Sequence, residues 1–102
     1  MTQQLRQELE ALVGPAAWHN LLPHAARDSL VVVNSDLDIV EVGVAVVTDN
    51  VNFVQRWISE ALIAKPTVEQ LEDWERDRGR EFQALIVQPY VLIQDITVDN
   101  SA

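Results

Sequence analysis

His24, Arg27 and Asp28 stand at i, i+3 and i+4, a spacing that sets an imidazole, a guanidinium and a carboxylate on one face of a helical turn. Such a trio can bind a ligand or move a proton. Its competing reading is an exposed ion pair near a helix end, which helical surfaces produce often. His19 lies five residues before His24, about 140° away around a helix, so the two imidazoles do not form the i, i+4 pair that zinc uses. Towards the C-terminus, Gln88, Tyr90 and Gln94 share one face of a strand-like run and are polar where their neighbours are apolar. Polar groups so placed need partners; a bound group or exposure beside Pro89 would supply them.

Asn34, Asp36 and Asp38, with Glu41 beyond them, open with the spacing of a calcium-binding hand. The glycine that should follow the third ligand is Ile39, and the glutamate of the twelfth position is Ala45. No metal site is expected there. Glycines at 14, 43 and 79 assemble neither a dinucleotide fingerprint nor a phosphate-binding loop. No serine sits in a G-x-S-x-G elbow, and the absence of cysteine removes disulfides, thiolate metal sites and thiol nucleophiles together. These patterns lead us to expect no catalytic residue and no cofactor. The binding candidates are His24, Arg27, Asp28, Gln88, Tyr90 and Gln94.

The elements that must position those residues are led by the run from Phe82 to Ile96. At period two, Phe82, Ala84, Ile86 and Leu92 fall on one face, and Leu85, Val87, Val91 and Ile93 on the other. Both faces are apolar, as in a strand covered on two sides. Pro89 cannot donate to a ladder, so the run should bend there into segments 83–88 and 90–96. Before it, Leu5, Leu9, Leu12 and Val13 make the stripe of a helix over 2–13, and Pro15 can open a second helix over 15–28 that Pro23 interrupts. Two valine-rich runs, 30–34 and 39–48, are read as strands joined by the turn residues Ser35 to Asp38; a helix over 37–47 is the competing reading. Asp49 or Asn50 caps a core helix over 50–63, with Val54, Trp57, Ile58, Ala61 and Leu62 on its stripe. Thr67 and Gln70 form a capping box for a helix over 67–77. The mixed-charge residues 75–81 read as a loop, and 97–102 as a frayed tail.

The fold expected is α+β: a small antiparallel sheet, made of a hairpin 30–48 and a bent C-terminal strand 83–96, covered by helices at 2–13, 15–28, 50–63 and 67–77. With 102 residues, 48% of them hydrophobic, one domain over 1–102 can bury a little under ~70% of its unfolded surface. Sixteen acidic against seven basic residues give a net charge of -9, which repels phosphate backbones and anionic membranes; neither nucleic acid nor a membrane is an expected partner. No signal-peptide pattern opens the chain, and no apolar run approaches the ~20 residues of a membrane helix, so a soluble cytoplasmic protein is expected.

The blocks LLPHAARDSLVVV, LDIVEVGVAVVTDN, VQRWISEALIAKP and FQALIVQPYVLIQ resemble those of a group of small bacterial proteins catalogued only as a domain of unknown function. The residues around 62–67 and 85–94 are the most specific. The resemblance implies a single-domain, soluble bacterial protein and no particular activity. From the residues themselves the first expectation is a small acidic interaction or adaptor module without enzymatic activity, self-associating as a homodimer or docking a basic partner. The alternative is a small-molecule binder or small enzyme with a cleft near His24, Arg27, Gln88 and Tyr90.

Overall fold

The computed structural model describes residues 2–77 and 80–96. In chain order its elements are α1 (Thr2–Leu12), β1 (Gly14–Ala17), α2 (Trp18–Ala26), β2 (Leu30–Val33), α3 (Ile39–Val47), α4 (Val51–Ser59), β3 (Ile63–Ala64), α5 (Val68–Arg76), β4 (Glu81–Val87) and β5 (Tyr90–Asp95). The class is α+β. The C-terminal run breaks at Pro89 as its sequence requires, but it folds back on itself. Strands β4 and β5 pair antiparallel from Phe82↔Asp95 to Val87↔Tyr90, and the Gln88–Pro89 peptide bond between them is cis.

Five strands form one sheet in the order β1-β4-β5-β2-β3, with β5 at its centre. Side chains alternate across β5 because successive strand residues point to opposite faces. Leu92 enters one core with Leu9, Val42, Ala45, Trp57 and Leu85, under α1, α3 and α4. Val91 and Ile93 enter the other with Trp18, Leu21, Trp74 and Phe82, under α2 and α5. Trp74 lies between Trp18 and Phe82, with ring centroids 5.1 and 5.0 Å away, the second contact edge-on as ring quadrupoles favour. The two-sided cover read from the apolar faces of this run is therefore helical on both sides.

The expected hairpin 30–48 is absent, because residues 39–47 are helix α3 and not strand. The valines at 40, 42, 44 and 46 alternate with Glu41, Gly43 and Ala45, so the alternation is largely one of size and gives no polar face. Read at helical period, Ile39, Val40, Val42, Gly43 and Ala45 form one buried side. Asp38 begins the helix: its Oδ1 accepts from the Val40 N–H at 2.9 Å. Gly43 lets the helix lie close on the sheet, since a Cβ there would stand 2.7 Å from Leu85 Cδ2 and 3.3 Å from Leu9 Cδ1. Burial on the sheet outweighs the modest helix propensity of valine.

The sheet is mixed, not antiparallel, because β2 runs parallel to β5 with Leu30 opposite Val91. Residues 14–17 form an edge strand where the start of helix 15–28 was expected. Pro15 suits that edge, where a missing donor breaks no central ladder. Helix α2 covers only 18–26 and continues through the exposed Pro23. Helix α4 ends at Ser59, short of the expected 63, and residues 63–64 form a two-residue edge strand on β2. The helices read over 2–13 and 67–77 are found to within about a residue at each end. Both halves of the Thr67–Gln70 capping box are made, at 2.9 and 3.1 Å. Gly79 and the segment 97–102 lie outside the described residues.

Candidate functional site

On the face carrying α3 and α4, the two helices and the sheet do not close completely. They leave a groove of about 360 Å³, within the range of small-ligand sites. Val31, Ile63 and Leu92 form its floor; Val42 and Val46 on α3 face Val54 and Ile58 on α4 across it. Its polar rim consists of Asp49, Asn50, Lys65 and Tyr90.

The rim is fixed by backbone geometry. Asp28, Asp49 and Ala61 each have positive φ, at 60°, 56° and 59°, and each follows a helix end. Beyond them the N–H groups of Ser29, Asn50 and Leu62 reach back to the carbonyls of His24, Ala45 and Trp57 at 3.1, 2.8 and 2.8 Å. Those six-to-one bonds, with the shorter bonds made by the left-handed residues themselves, are three Schellman endings. The one at Asp49 turns the chain from α3 into α4 and sets Asp49 on the groove. Asn50 then caps α4 through Phe53 N–H at 3.4 Å, one of the two caps that the sequence offered.

The sequence candidates separate. Tyr90 is on the rim and partly exposed. Asp28 reaches the rim through Lys65, whose Nζ lies 2.5 Å from its carboxylate. His24, Arg27 and Asp28 do not share a helical face, because α2 ends at Ala26 and Asp28 has turned into the left-handed region. Gln88 is exposed in the β4–β5 turn and does not line the groove. Gln94 is buried and structural. Its Nε2 donates to the carbonyls of Asn34 and Leu37 at 2.8 and 2.7 Å, and its Oε1 accepts from Gln83.

Two side chains of the loop entering α3, Asn34 and Asp38, also have structural duties. Asn34 Oδ1 accepts from the Asp36 N–H at 2.8 Å, and Asp38 both caps α3 and binds Arg6. That hydrogen bond and the charge of Asp38 raise the Arg6 guanidinium above its ordinary pKa. A polar hollow of about 340 Å³ on the opposite face is lined by groups already occupied: Arg80 with Asp95, Asp73 with Arg76, and Gln70 in its capping box.

Sequence reasoning missed Asp49, Lys65 and the apolar walls as parts of one site. The signal was present in the Thr48–Asn50 turn, but reading 39–48 as a strand removed the helix whose end that turn is.

The sequence profile of the family described as "Protein of unknown function (DUF2288)" matches residues 4–95. The fold is similar to the NMR solution structure of PA1075 from Pseudomonas aeruginosa, with 30% sequence identity and a TM-score of 0.78, over 97% of this chain and 91% of that one. No curated protein matches the chain. Among the described residues no helix is long and apolar enough to cross a membrane.

Proposed function

The chain belongs to the DUF2288 family, whose description assigns no activity, and we propose from its geometry that it is a small-molecule-binding module. The groove between α3, α4 and the sheet would hold the apolar body of the ligand. The single observation that supports this is the groove itself: about 360 Å³ of mostly apolar-walled space with its polar groups gathered on the rim, the division that small-ligand sites show. The apolar walls offer contact and desolvation for an aliphatic or aromatic body. Tyr90 and Asp28 from the sequence candidates take part, the second through Lys65; His24, Arg27, Gln88 and Gln94 do not.

The first expectation, an interaction or adaptor module that self-associates or docks a basic partner, drew on a surplus of strand edge and aromatic surface. Both edges of the sheet are short, four residues at β1 and two at β3, and β1 carries Pro15. Such edges discourage pairing with another chain.

A neutral, environment-sensitive dye such as N-phenyl-1-naphthylamine tests the reading. It should bind saturably at one site, and Val46→Trp, which fills the groove from α3, should weaken it about tenfold or more while thermal melting shows the fold intact. A second filling variant from the other wall, Val54→Trp, guards against misfolding of the first. Absence of saturable binding, or binding indifferent to both variants, would remove the groove as a site.

A further inference from the structure

We infer that the head group selected by this groove is cationic, so that the ligand is an amphiphile with an aliphatic body and a protonated amine. The inference rests on the groove reading above and adds the sign of the charge.

Two side chains of opposite charge type stand on the rim, Asp49 and Lys65, beside the phenol of Tyr90. The Lys65 ammonium is already engaged by Asp28 at 2.5 Å, so that pair contributes no net charge to the mouth. Among the described residues no hydrogen bond or ion pair occupies the Asp49 carboxylate. It therefore leaves one uncompensated negative charge at the apolar groove. Its backbone is held by the Schellman ending, through Asp49 N–H to Val46 O at 3.2 Å and Asn50 N–H to Ala45 O at 2.8 Å. The C-terminal end of α3 and the N-terminal end of α4 meet at the same turn, so their dipoles offset and Asp49 decides the local sign. The Tyr90 hydroxyl is a further acceptor for an ammonium group. At longer range the net charge of -9 draws cations toward the molecule and repels anions.

The test compares three probes with the same tail, hexylamine, hexanol and hexanoate, by titration calorimetry at neutral pH and low salt. The amine should bind about fivefold or more tighter than the alcohol, as for an ion pair at a partly desolvated rim, and hexanoate should bind most weakly. Asp49→Asn keeps a residue type that accepts the left-handed conformation. It should erase the preference for the amine and leave hexanol unchanged. Raising the salt concentration on the unaltered protein should likewise weaken only the amine, an independent reading if the variant is unstable. If hexanol equals the amine, or the preference survives both Asp49→Asn and salt, the charge inference is overturned and the groove stands. If none of the three probes binds, the inference fails together with the groove.

Discussion

Gln94 ties three parts of the chain together through one side chain. From the centre of the sheet it donates to two carbonyls of the loop entering α3, Asn34 and Leu37, and accepts from Gln83 on β4. A buried amide with its partners made contributes modestly, whereas a carbonyl left without a donor costs its desolvation; Asn34 O would keep the Leu37 N–H at 3.0 Å, and Leu37 O would lose the Gln94 donor. Gln94→Leu should therefore lower stability by about 1–3 kcal/mol, and Gln88→Leu, at an exposed turn position, by less than about 1 kcal/mol. Denaturant melts of the two variants beside the parent check this, and equal losses would contradict it. The need of Gln94 for partners was legible in the sequence, because it sits on an apolar face of the longest strand-like run. Which partners it finds was not, since they belong to a loop about sixty residues away whose path depends on α3.

At the scale of elements, helix endings do much of the positioning, and one carries an unfavourable residue. Ala61 closes α4 at φ 59°, where a Cβ crowds the following carbonyl. Ala61→Gly should raise stability by about 0.5–1 kcal/mol, the relief of that crowding exceeding the added freedom of the unfolded chain. A rise in the denaturation midpoint with unchanged slope is the expected reading; a loss of stability would mean that the Ala61 methyl packs usefully. Elements with strong local signals were legible: α1 by its leucine stripe, α5 by its capping box, and the β4–β5 break by Pro89. Strands β1 and β3 were not, for they are four and two residues long and exist only because a neighbouring strand pairs with them. The turn chemistry of 35–38 was recognised but assigned to a hairpin, when Asp38 serves as the N-cap of α3. That one misreading hid the groove, whose wall is α3 and whose rim begins at its end.

For the whole molecule, two cores on either face of one sheet leave an apolar groove between α3 and α4. α4 shows the same incompleteness from outside. Its apolar stripe promised a core helix, yet among its residues only Trp57 is buried, while Ile58 on the groove remains 57% exposed. A ligand in the groove would cover Ile58 and Val54 from the side that the protein leaves open. The most direct test is methyl NMR of the isotopically labelled protein titrated with hexylamine. Methyl signals of Val42, Val46, Val54, Ile58, Ile63 and Leu92 should shift together along one binding curve, while those of Leu21, Leu30 and Ile93 on the opposite face stay in place. Shifts centred on the opposite face, or none at saturating amine, would contradict binding in the groove.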